Sequence, residues 1–139
     1  MNLDRDGAIG RAAAYPVAHL ATTRPSGAPH VVAITFAIEA ERLYSMVDHK
    51  PKSTRRLQRL ANIEANPHVS ILVDHYEDDW GRLWWVRIDG EARVASGGEA
   101  WESARRALSA KYQQYSVRPP AGPAIVVEIG KVNWWEPAR

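Results

Sequence analysis

Three runs of β-forming residues follow one another between Val17 and Asp48 with only turns between them, and that spacing excludes most ways of folding this part of the chain. The runs are "VAHLATT", "HVVAITFAI" and "RLYSMVD"; "RPSGAP", with Pro25 and Gly27, separates the first two, and "EAER" turns the chain into the third. Parallel neighbours need a crossover of roughly a dozen residues, usually a helix, and these links are far shorter. The stretch therefore reads as an antiparallel meander, with β-branched residues filling its middle strand.

The rest of the pattern extends that reading. An alanine-rich segment, Asp4 to Tyr15, is expected to be helical and to stop at Pro16. After the meander a helix is expected from Ser53, a good N-cap, with Leu57, Leu60 and Ala61 on one face and Asn66-Pro67 at its end. "HVSILVDHY" reads as the next strand, "EDDWGR" as an acidic loop, and "LWWVRIDGEARVA" as a long strand. "GGEAWESARRALSAKY" places Trp101, Ala104, Leu108 and Tyr112 at helical spacing, "SVRPPAGP" is a stiff loop, and "AIVVEIGKVNWW" is the last strand. That makes about six strands with helices inserted and no βαβ alternation. The fold class this predicts is mainly β, a small antiparallel barrel of six strands with peripheral helices.

With 139 residues, 45% hydrophobic and 24% charged, the chain reads as a single domain spanning 1–139 that can bury its own core. The absence of cysteine removes disulfides, thiolate metal sites and cysteine nucleophiles, and suits a reducing compartment. The opening "MNLDRDGAIGRAAAYPVAHL" has no sustained apolar run, so neither a signal peptide nor a membrane anchor is expected there, and the chain reads as cytoplasmic.

Against a net charge of only +2, Lys50, Lys52, Arg55, Arg56 and Arg59 crowd into one short stretch, and no acidic residue lies between Asp48 and Glu64. At a helix start such charge opposes the macrodipole, so local stability does not account for it. A phosphate would: it can take backbone N–H groups, the hydroxyls of Ser53 and Thr54, and charge from Lys50 or Lys52. Nucleic acid is the weaker candidate, because phosphate-tracking proteins spread their cations over an extended face and this helix repeats no base-reading motif. A solvated basic helix face is the plain structural alternative.

Six tryptophans occur, four of them in the adjacent pairs Trp84-Trp85 and Trp134-Trp135. Successive strand residues point to opposite faces, so each pair should send one indole inward and the other outward, where a second subunit is the expected cover. Trp80, in the acidic loop, is placed to reach an aromatic ligand; packing into a large core is the alternative for each tryptophan. The five histidines show no metal-ligand spacing, and no GxSxG elbow, GxGxxG turn or Walker loop is present.

The series from "LATTRPSGAPHVVAI" through "YSMVDHKPKSTRRL" to "NPHVSILVD" resembles the pyridoxamine-phosphate-oxidase-like family, whose fold is the FMN-binding split barrel, and within it the actinobacterial branch that uses the deazaflavin coenzyme F420. The resemblance runs from about Val17 to Val94 and includes the last strand. It implies a homodimer with the cofactor in a groove between subunits, a small-molecule substrate, and neither nucleic-acid nor membrane partners. It implies that "PHVVAI" runs beside the cofactor ring, giving roles to His30, Val32 and Ala33. "YSMVD" matches the next strand, whose backbone contacts the ring at Met46 and Val47. "KPKSTRRL" matches the phosphate-binding segment, which points to Lys52, Ser53, Thr54 and Arg56, with Lys50 nearby. Many flavin-binding relatives carry an Arg-Lys pair where this chain has Lys52-Ser53. The activity implied is hydride transfer between F420 and an unsaturated or carbonyl-conjugated substrate; the alternatives are an FMN-binding oxidase or reductase of the same fold and a non-catalytic protein that binds a cofactor or tetrapyrrole. Arg24, Arg55, Arg59 and Arg118 would suit the poly-glutamate tail of F420.

Overall fold

The computed structural model describes residues 3–47 and 57–138. Helix α1 (Arg5–Ala13) is capped by Asp4, whose carboxylate accepts from the Gly7 amide at 2.8 Å. Strands β1 (Ala18–Thr23), β2 (Pro29–Ile34), β3 (Ala37–Glu39) and β4 (Arg42–Met46) follow. After α2 (Gln58–Ala65) come β5 (His68–His75), a 3₁₀ turn at Trp80–Arg82, and β6 (Trp84–Ala95). Helices α3 (Gly98–Lys111) and α4 (Gln113–Val117) then lead to β7 (Ala124–Trp135).

All pairings are antiparallel, in one seven-stranded sheet of order β2-β1-β5-β6-β7-β4-β3. Among the described residues the barrel thus has seven strands where the sequence suggests six, because "HVVAITFAI" is two strands. It breaks at Thr35 and Phe36, and its halves lie at opposite edges of the sheet. Three residues span at most about 11 Å when extended, so the two edges must come close together. The sheet is therefore curled into a half-barrel with an open seam. The break is held from outside: the Phe36 amide donates to the Tyr112 hydroxyl at 3.0 Å, and the Ser45 hydroxyl donates to the Thr35 carbonyl at 2.8 Å.

The core fills the inside of this curl. Leu20, Ile34, Phe36, Leu43, Ile71, Val73, Val86, Ile88 and Val127 form it together with Leu60 and Ile63 of α2 and Ala8 and Ala12 of α1. A second cluster joins α3, through Ala104, Ala107 and Leu108, to Tyr44, Met46 and Val126, with Trp101 and Tyr112 packed on it as their spacing predicts. The tryptophan pairs split as alternation requires: Trp84 and Trp134 pack on the main core, while Trp85 and Trp135 face each other across β6 and β7 on the other side. Gly90 marks a register shift in β6; a Cβ there would stand 2.4 Å from the Glu128 carbonyl oxygen, so only glycine fits.

Two further expectations are corrected. Leu57 is extended (φ −64°, ψ 140°), so α2 starts at Gln58 rather than at a Ser53 cap; packing of Leu57 against the core sets that boundary. The face buried by α2 is Leu60, Asn62 and Ile63, while Ala61 is exposed. Asn62 is fully buried because its amide donates to the Thr22 hydroxyl at 2.9 Å and its carbonyl accepts from Gln58 at 2.7 Å. Helix α4, just ahead of "RPPAGP", is absent from the sequence reading. No helix among the described residues is long and apolar enough to cross a membrane.

Candidate cofactor pocket at the barrel seam

Where the seam opens, the end of β2 and the end of β4 stand on either side of a pocket of about 380 Å³. Ala33, Ile34 and Thr35 line one wall, Ser45, Met46 and Val47 the other; Arg59 of α2 and Tyr115 of α4 complete it. The lining mixes apolar side chains (Ala33, Ile34, Met46, Val47) with polar ones (Thr35, Ser45, Arg59, Tyr115), and the volume falls in the usual range for small-molecule sites, roughly 300–1,000 Å³. Strand β2 is an edge, paired only with β1 in the described sheet, so one side of its backbone is open to a ligand's hydrogen-bonding groups.

The polar groups around the pocket are fixed by local bonds. The Tyr115 and Thr35 hydroxyls lie 3.0 Å apart, and Ser45 holds the Thr35 carbonyl from the opposite wall. Behind this layer the Tyr112 oxygen meets the Phe36 amide, with the carbonyls of Pro16 (2.8 Å) and Phe36 (3.0 Å) in reach of its proton. Burial raises the Tyr112 pKa, partly offset by the bond from Phe36. The Lys111 ammonium lies 3.6 Å over the Phe36 ring, and burial lowers its pKa to about 8. The Val47 amide donates to Pro123 and its carbonyl accepts from Gly122, both at 3.0 Å, which anchors the β4 wall to the loop before β7.

Of the residues singled out in the sequence, Ala33, Met46 and Val47 come together in this pocket. Val32 points the other way and packs on the core. His30 lies on the same inward side of β2, opposite Thr22, and its buried Nδ1 has no hydrogen-bond partner among the described residues. Trp80 is 69% exposed on the 3₁₀ turn and is not among the pocket's lining residues. Lys50, Lys52, Ser53, Thr54 and Arg56 lie outside the described residues. Sequence reasoning missed Thr35, Ser45 and Tyr115, and with them the apolar Ile34. The only available signal for the first two was their place beside residues already chosen; for Tyr115 there was none.

A broader concavity of about 630 Å³ crosses the outer side of β1, β5 and β6. Its ionisable side chains are His68, Asp89 and Glu91, and Ser70 donates to Asp89 at 2.6 Å. Two carboxylates make it a poor place for a phosphorylated ligand, so size alone does not make it the site.

A curled antiparallel half-barrel with a pocket at its seam defines a split-barrel protein. A family profile described as pyridoxamine 5'-phosphate oxidase matches residues 12–136, and the chain belongs to that family. No curated protein matches it. Among solved structures, a conserved hypothetical protein from Mycobacterium tuberculosis is similar at 19% identity and a TM-score of 0.75, covering 98% of this chain and 86% of that one. An FAD-binding protein from Mesorhizobium loti is similar at 22% identity and a TM-score of 0.74, covering 98% and 96%. An F420 reductase is similar at 26% identity and a TM-score of 0.65, covering 88% and 94%.

The pocket fits the ring half of a flavin-type cofactor: the apolar side chains of Ala33, Ile34, Met46 and Val47 for a flat heterocycle, and polar side chains with an open strand edge for its polar rim. Ala33, Met46 and Val47 would hold the ring, with Arg59 at the margin.

Proposed function

We propose that this protein is an F420-dependent oxidoreductase acting on small unsaturated or carbonyl-conjugated substrates, as a homodimer with the cofactor at the barrel seam. The observation that carries this reading is that the seam pocket gathers Ala33, Met46 and Val47, and that Val47 stands three positions ahead of Lys50 in the sequence, where the stretch with Lys52, Ser53, Thr54 and Arg56 begins. Similarity to an F420 reductase supports a deazaflavin.

When bound, the cofactor supplies a two-electron hydride. The protein's part is then to bind, orient and exclude water. Ala33, Ile34, Met46 and Val47 give the ring apolar walls, and the bonds from Ser45 to Thr35 and between Val47 and residues 122–123 keep those walls a fixed distance apart. Ala33 also belongs to the outward face of β2, in register with His19 and, beyond it, Leu72. A second subunit packed on that face would border the pocket.

The test is a titration of apo-protein with F420 and, separately, FMN, followed by quenching of tryptophan fluorescence, and then turnover with each. Saturable quenching and enone reduction with F420 are expected. Binding and turnover with FMN alone would move the protein to the flavin branch, and tight binding without hydride transfer to any acceptor would make it a carrier.

A further inference from the structure

Building on that proposed reading, we infer that Tyr115 is the acid that protonates the substrate when a polarised double bond is reduced in the seam pocket. Among the described residues that line the pocket only Arg59 and Tyr115 are ionisable, and a guanidinium does not release its proton at neutral pH. Ser45 is turned to the Thr35 carbonyl, a bond that shapes the wall. That leaves the phenol.

Its placement suits the task. The Tyr115 hydroxyl lies 3.0 Å from the Thr35 hydroxyl, which can accept from the phenol or donate to the phenolate left after proton transfer. The Tyr115 ring stands edge-on to Tyr112, centroids 5.5 Å apart, and Tyr112 is itself tied to Phe36. Both ends of Tyr115 are thus held against the break between β2 and β3, beside the wall where the ring would lie. General acids work best when positioned in this way before the substrate arrives.

For an enone-type acceptor the step balances as follows. With a reduced flavin-type cofactor as the two-electron donor, the β-carbon would receive a hydride. A new C–H bond forms as the C=C π pair shifts to the α-carbon and carbonyl oxygen. The Tyr115 O–H bond then breaks, its proton joins the α-carbon, and the phenolate regains a proton from water.

The experiment compares wild type with Tyr115→Phe in three measurements: cofactor affinity of the apo-protein by fluorescence quenching, enone reduction, and the configuration of deuterium at the α-carbon after reduction in D₂O. Expected for the variant are an affinity within roughly three-fold of wild type, a kcat lower by about 10²-fold or more, and loss of the single-face deuteration that the wild type shows. A variant that binds cofactor and keeps both its rate and its facial selectivity overturns the acid role. One that loses cofactor binding in step with turnover also overturns it, by making Tyr115 part of the cradle. A wild type that neither binds nor uses either cofactor overturns the underlying reading, and is told apart because it fails before any substitution.

Discussion

Tyr112 and Lys111 sit side by side against the point where the sheet splits, and they act on it in opposite ways. Tyr112 satisfies the amide of Phe36, a residue with no exposed surface. Tyr112→Phe leaves that N–H without its oxygen and should cost about 1–3 kcal/mol, read from the urea midpoint at constant m. Lys111 places a desolvated ammonium over the Phe36 ring with no hydrogen-bond partner for its Nζ among the described residues. Its pKa falls from 10.5 to about 8, so within that window the unfolded chain binds more protons than the folded one, and stability rises with pH. Below about 8 the penalty for the buried charge is present in full. Tyr112, with its raised pKa, works the other way, but only from about 10 upward. Lys111→Met should therefore be favoured over wild type most at neutral pH, and the gap should close as pH rises from 8 towards 10. Urea midpoints of both proteins across that range check it; a difference that does not move with pH would show that the ammonium is not desolvated in the fold.

Strand β6 shows what one residue does to an element. Its 12 residues pair with β5 on one side and β7 on the other, and the shift at Gly90 bends it where Glu128 and Val127 come close. Gly90→Ala forces a Cβ against main chain that cannot step aside, so a loss of about 1–3 kcal/mol is expected in chemical denaturation. Alternation and turn chemistry made β1, β4, β5, β6 and β7 legible in the sequence, and the 3.6 period did the same for α3. The division of "HVVAITFAI" was not legible: its β-branched run is continuous, and the break at Thr35-Phe36 depends on Tyr112, a residue 76 positions away. The site follows the same logic. Ala33 and Met46 lie on strands that pattern and resemblance locate together, with Val47 directly after the second, whereas Tyr115 reaches the pocket only through the packing of α3 and α4, which no local signal encodes.

At the scale of the whole molecule the outer face of the sheet needs an explanation. Val31 is 62% exposed, Trp135 44% and Leu72 37%, and strand register sets them on one side with Ala33, Trp85 and Arg87. Arg87 lies over the Trp85 ring at 5.6 Å, and His19 and Asp74 stand 3.9 Å apart, so polar groups are interspersed with apolar ones, as at interfaces between protein chains. The face adjoins the seam pocket through Ala33, so an assembly built on this face would border the proposed cofactor site. If two copies pack there, a charge in place of the exposed indole must be desolvated at the contact. Trp135→Glu should then weaken the dimer by about 2 kcal/mol or more, at least about 30-fold in Kd, with little change in protomer stability because Trp135 lies outside both core clusters. Sedimentation velocity over a concentration series reads this directly. The same variant should lose cofactor affinity in parallel with its dimer fraction, since the groove would open on one side. Wild type that sediments as a monomer would leave the seam pocket to one chain alone, whereas a Trp135→Glu protein that stays dimeric at wild-type affinity would place the subunit contact on another face.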